Sequence, residues 1–288
     1  MVDLLLEPFA SGFTQRGLVA GLLVAVMCAT VGVWVVLRSL AFMSDALAHG
    51  VIPGIAIAAL TGADLTLGAA IAAVVTVAGV SVVSERARLP EDTGTGLLFA
   101  GMLALGVAII SRSRSFAVDV TAFLFGDVLG VTAADIRLQA IATTVAVVAS
   151  VVGYRAFLAL SFDERKAVLL GLRPRLARAA LLGLIGLTVV TSFRTVGSLL
   201  VFGLLVAPAA TATQVVRRVP AVMALSLLLG VLAVVVGLEL SYHLDLAGSA
   251  AIAGSSVAIF FLVLGVTSVR QGLRQRRTGV PSSASTAA

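Results

Sequence analysis

Apolar runs long enough to cross a lipid bilayer, separated by short breaks that carry the arginines, follow one another along almost the whole chain. About 20 apolar residues in a helix cross a hydrocarbon core of about 30 Å, and backbone groups in lipid must satisfy one another. The runs read Gly17 to Leu37, Leu47 to Leu60, Leu65 to Val83, Gly96 to Ile110, Leu138 to Leu160, Ala179 to Val190, Gly197 to Val216, Val222 to Leu240 and Ser249 to Val269. A shorter piece, Val118 to Val131, contains Asp119, Asp127, Gly126 and Gly130, and reads as a short span or as a re-entrant or outer-face helix. Hydrophobic residues make up 60% of the chain, beyond the roughly 45 to 50% of ordinary soluble domains. The fold class expected is all-α, a polytopic helical membrane protein with about nine or ten transmembrane helices, placed in the cell membrane.

The net charge of +6 comes almost wholly from arginine, with Lys166 the single lysine. Arginines in the breaks report membrane orientation rather than nucleic-acid binding. Asp163 to Arg178, Arg217 with Arg218, and the tail from Arg270 alternate as cytoplasmic segments, which turns Glu239 and His243 outward. If Val118 to Val131 crosses, Arg16, Arg112 and Arg114 are cytoplasmic, Arg86 and Arg88 lie outside, and Asp45 and His49 share the outer side with Glu239 and His243. If it does not cross, the two pairs begin on opposite sides. Ten crossings is the preferred arrangement.

Residues 1–15 carry Asp3 and Glu7 and no basic cluster, so they read as an N-terminal segment before a retained first span. Residues 16–269 form the transmembrane domain, and residues 270–288 read as a basic, disordered cytoplasmic tail. The sole cysteine, Cys28, lies inside the first run with no disulfide partner.

The chain has two histidines, and each follows a carboxylate by four residues: Asp45 with His49, and Glu239 with His243. On a helix that spacing stacks both side chains on one face. A charge in a membrane span costs roughly 2.5 to 3.5 kcal/mol on insertion scales. Two imidazoles and two carboxylates together suit Zn²⁺, Mn²⁺ or Fe²⁺. Pro53 has no N–H for the carbonyl of His49, and Gly50 and Gly54 admit close neighbours, which suits a broken helix beside an ion path. A plainer reading stays open at both places: Ser44 and Asp45 capping a helix, and Glu239 and His243 in a solvated interfacial loop. Asp245 is a candidate to hold the free imidazole nitrogen of His243 and so fix its tautomer.

Residues 161–178 read as a cytoplasmic segment with a short amphipathic helix, closed by Gly171 and Pro174, that docks a partner or anchors on lipid. No Gly-x-x-x-x-Gly-Lys-Ser/Thr loop occurs, so any nucleotide-driven motor is a separate subunit, and no His-Glu-x-x-His points to a zinc hydrolase.

Ser44 to Gly54, Glu91-Asp92 with Gly94 to Ile109, Leu124 to Gly130, Val196 to Ala212 and Leu240 to Gly248 together resemble the permease subunits of the zinc/manganese/iron family of ABC importers, the ABC-3 or ZnuB-like group. The likeness covers roughly residues 15 to 268. It implies a type II-like importer permease with no permanently bound cofactor, working with a second permease copy, an ABC ATPase subunit and an extracytoplasmic metal-binding protein. It also implies that Asp45 and His49 match the family's acidic and histidine positions, with Glu239 and His243 alongside, and that the stretch holding Asp163, Glu164 and Gly171 is the coupling helix. The sequence departs from the family pattern at Ala48, Gly50 and Ala247, where serine, alanine and proline are usual. Alternatives within transport are a permease for a siderophore- or haem-type metal chelate and an ion-coupled secondary carrier. A non-transporting membrane scaffold is a further one.

Overall fold

The computed structural model describes residues 12–87, 90–111, 126, 130–162 and 173–278. Among these residues the chain forms helices alone: α1 Gly12–Leu37, α2 Ala41–Gly50, α3 Ile52–Thr61, α4 Leu65–Ala87, α5 Glu91–Ser111, α6 Ala133–Val152, α7 Tyr154–Phe162, α8 Pro174–Val215, α9 Val219–Leu244 and α10 Gly248–Thr278. Eight segments among the described residues are long and apolar enough to span a membrane, α2 and α3 together supplying the one from Ala41 to Thr61. Leu200–Val215 is a shorter apolar helix. Apart from Gly126 and residues 130–131, the piece Val118 to Val131 lies outside the described residues, as do Asp163, Glu164 and Gly171.

Two apolar runs resolve differently from their sequence reading. Leu138 to Leu160 divides at Gly153 into α6 and α7, and a Cβ at 153 would press within 2.8 Å of the Phe157 ring. The helix carrying Leu47 to Leu60 begins earlier, at Ala41, and takes Asp45 and His49 into the span.

α8 would be about 63 Å long if straight, twice the hydrocarbon thickness. It is broken instead at Gly197, whose φ of 75° and ψ of 163° suit glycine best. Gly126, with φ 62°, sets its backbone against this break, so closely that a Cβ there would overlap Gly197 and the carbonyl carbon of Val196.

α8 packs against α1, α2, α4, α6, α7, α9 and α10, and forms the centre of the bundle together with α1. At the periphery Val74, Leu97, Ile141 and Leu262 are each more than 60% exposed. Such faces find their solvent in acyl chains. Lipid supplies no hydrophobic drive between helices, so association rests on close approach and interhelical hydrogen bonds. Gly54 and Gly68 meet backbone to backbone across α3 and α4, and Gly32 lies against the carbonyl of Leu205. The Thr143 hydroxyl donates to the Leu23 carbonyl at 3.2 Å, and Ser256 donates to that of Gly203 at 3.2 Å.

These contacts fix helix directions. Gly21 opposes Val234, Ala25 opposes Gly230, and Val33 clusters with Val222, so α1 and α9 are antiparallel. α6 runs parallel to α1, with Thr143 at Leu23 and Tyr154 at Trp34. α4 runs against α2 and α3, with Thr76 at Gly50 and Gly68 at Gly54. Arg38, Arg86, Arg155, Arg217 and Arg218 therefore share one membrane face, and Arg16 and Arg137 the other. The arginine rule makes the first face cytoplasmic. This corrects the ten-crossing arrangement, which puts Arg16 inside and Arg86 outside. Helix packing over whole spans decides direction here, where each break carries too few charges to do so alone.

Candidate metal-transit site

The residue before α2, Leu40, accepts the Ser44 N–H on its carbonyl at 3.0 Å, and the Ser44 hydroxyl donates to the Ala41 carbonyl at 2.7 Å. Met43, Ser44, Ala46, Leu47 and Ala48 turn inward and are buried. Asp45 and His49 are left on the opposite stripe, with side chains 31% and 20% exposed.

His49 Nδ1 lies 3.1 Å from the backbone carbonyl of Asp45 and 3.6 Å from Asp45 Oδ1. A carbonyl only accepts, so this contact places the ring proton on Nδ1 and leaves the Nε2 lone pair available to a metal ion. The Phe99 ring of α5 stands edge-on to the imidazole with centroids 5.3 Å apart, and Phe42 lies 6.4 Å from Phe99. Just beyond, α2 passes to α3 at Val51 and Pro53, and Thr76 Oγ1, which donates to the Ala72 carbonyl at 2.8 Å, lies 3.4 Å from the Gly50 carbonyl. Neither Phe99 nor Thr76 stands out in the sequence, because each meets this site only through the packing of α4 and α5.

His49 is eight residues into the span that begins at Ala41, about 12 Å from the cytoplasmic end. A partly exposed carboxylate and imidazole at that depth cannot face acyl chains without a large desolvation cost. Their open side therefore faces water or another polypeptide.

Glu239 and His243 occupy the far end of α9. Glu239 Oε2 lies 3.5 Å from His243 Nε2, with side chains 16% and 40% exposed. α9 closes at Asp245, a left-handed residue at φ 50°, while the Ser241 hydroxyl donates to the Leu246 carbonyl at 2.7 Å. Asp245 thus serves as the helix cap. It makes no hydrogen bond to His243 among the described residues. Tyr242 stands edge-on to the His243 ring at 5.4 Å.

Each pair forms as its spacing predicts, but the four groups do not meet in one cluster. Among the described residues no three of His, Cys, Asp and Glu come together as a metal site. His243 is 24 residues along α9 from Val219, about 36 Å from the cytoplasmic end, which separates the pairs by about 24 Å along the helix axes. The reason is directional: α2 has just left the face where α9 begins. The geometry provides two half-sites at different depths, each with one carboxylate and one imidazole.

A family model described as the ABC 3 transport family matches residues 10–267 of this chain. Similar sequences include the manganese transport system membrane protein MntC of Halalkalibacterium halodurans, 33% identical over 264 residues, covering 92% of this chain and 90% of that protein. The chelated iron transport system membrane protein YfeD of Yersinia pestis is 31% identical over 245 residues, covering 85% and 82%. Among solved structures, PsaBC from Streptococcus pneumoniae in complex with Fab superposes with a TM-score of 0.82 at 26% identity, covering 91% of this chain and 95% of that one.

Proposed function

The chain belongs to the ABC 3 transport family, and on that premise we propose that it is the membrane-spanning permease subunit of an ATP-driven importer of divalent transition-metal ions. It hydrolyses no ATP itself; that step belongs to a separate ATPase subunit. The observation that carries the cargo assignment is the Asp45–His49 pair, held open at depth in the membrane with one imidazole nitrogen free.

The ion, Zn²⁺, Mn²⁺ or Fe²⁺, is the substrate rather than a resident cofactor. An extracytoplasmic binding protein delivers it to the outer face, where Glu239 and His243 receive it. Deeper in the membrane, Asp45 and His49 replace part of its hydration shell. A carboxylate offsets charge during passage, and the imidazole disfavours Ca²⁺ and Mg²⁺, which prefer oxygen donors. Two ligands at each station bind modestly, as conduction requires, since a site that holds its ion too well does not release it. A second permease copy supplies the opposite wall and covers the open side of α2. The cytoplasmic stretch with Asp163, Glu164 and Gly171 docks the ATPase, whose cycle switches access between the two faces.

Uptake of labelled Zn²⁺, Mn²⁺ and Fe²⁺, each free and in chelated form, is measured in cells with and without this chain. Uptake of at least one free ion that depends on the chain supports the proposal. Uptake confined to a chelate, or driven by an ion gradient in liposomes holding the chain alone, contradicts it.

A further inference from the structure

Trp34 is fully buried near the cytoplasmic end of α1, part of the main core, and there it also meets the short helix α7. Its ring meets Tyr154 edge-on at 5.5 Å and 70°, and Phe157 at 5.6 Å and 63°. Phe157 is 2% exposed, and its ring lies against Gly153 so closely that any side chain at 153 would displace it. Two aromatic rings of α7 are thus clasped to one indole of α1. Offset or edge-on aromatic contacts of this kind have defined geometry, so a shift of one ring is felt by the other.

On its other side Trp34 opens the turn into α2. Its carbonyl accepts the Arg38 N–H at 3.1 Å, and the Leu40 N–H returns to the Val35 carbonyl at 2.8 Å. Ser39 holds a left-handed φ of 56°, which makes the turn tight. Leu40 in turn accepts the Ser44 N–H, and Asp45 is the next residue. From Phe157 to the metal-facing carboxylate the path therefore runs through ring contacts, one tight turn and a single helical turn, with no flexible loop between. The indole Nε1 is buried without a hydrogen-bond acceptor among the described residues.

We propose that Trp34 is a positioning residue for energy coupling: it transmits displacement of α7, the helix that leads into the cytoplasmic break before α8, to the turn that aims Asp45 and His49. This rests on the importer reading above. Trp34 touches neither ion nor nucleotide; it acts through the turn at 38–40.

The test uses the complete complex, with its ATPase subunit and binding protein, in proteoliposomes, and reads labelled Mn²⁺ uptake and ATP hydrolysis together. Trp34→Ala is expected to lower uptake by about tenfold, within the range of ordinary coupling energies, while hydrolysis stays within about twofold of wild type. Trp34→Phe and Phe157→Leu, which keep the apolar volume, are expected to lower the ion-to-ATP ratio by a smaller factor, and they decide the matter if Trp34→Ala does not assemble. Equal falls in uptake and hydrolysis, or an unchanged ratio in assembled variants, overturn the inference and leave the importer reading standing. Absence of Mn²⁺, Zn²⁺ and Fe²⁺ uptake by the wild-type complex overturns the importer reading, and the inference with it.

Discussion

His49 presents one free ring nitrogen because the carbonyl one turn earlier occupies the other. In His243 it is Nε2 that faces its carboxylate, 3.5 Å from Glu239 Oε2. If the outer pair captures the ion and the inner pair passes it on, their substitutions separate kinetically. Glu239→Gln and His243→Gln should raise the KM for uptake by about tenfold with the maximal rate kept within about twofold, as loss of a capture interaction does. Concentration-dependent uptake of the labelled ion checks this. Both pairs were legible at this scale, since a four-residue spacing needs only a helix to bring its side chains together. The separation of the two pairs was not legible, because it depends on which faces α2 and α9 leave from. Phe99 and Thr76, which hold the His49 region from α5 and α4, carried no sequence signal.

Helices here are joined by small residues at points where two backbones nearly touch. Gly54 and Gly68 form one such crossing, and a Cβ on either overlaps the other's carbonyl. Gly54→Val should separate α3 from α4 at a cost of about 1 to 3 kcal/mol, the usual range for overpacking. A lower unfolding temperature of the detergent-solubilised chain is the expected result. Gly197→Ala should act by a different route, forcing a side chain into the left-handed region at the α8 break, with a cost of about 1 to 2 kcal/mol on the same measurement. The apolar runs on either side of the α8 break were readable from hydropathy. The start of α2 at Ala41 was not, because Ser44, Asp45 and His49 interrupt the apolar run that marks the rest of the span. Burial of Met43 and Leu47 against the core carries the helix through that polar stretch.

For the whole molecule, the antiparallel packing of α1 and α9 sets Arg217 and Arg218 on the face where α2 begins, and Asp245 on the other. Cys28 is buried, so single cysteines can be added over a silent background. Asp245→Cys should react with an impermeant maleimide in intact cells, and Arg217→Cys only after the membrane is opened. The reverse pattern would invert the orientation. Family, fold class and the separate motor were all readable from the sequence, since they depend on runs and motifs rather than on depth. The central claim is that Asp45 and His49 line the path of the ion. The most direct measurement is uptake of labelled Mn²⁺, Zn²⁺ and Fe²⁺ by the Asp45→Ala/His49→Ala double variant at membrane levels matched to wild type. The account predicts that chain-dependent uptake disappears while the protein remains inserted; uptake equal to wild type for the transported ion would contradict it.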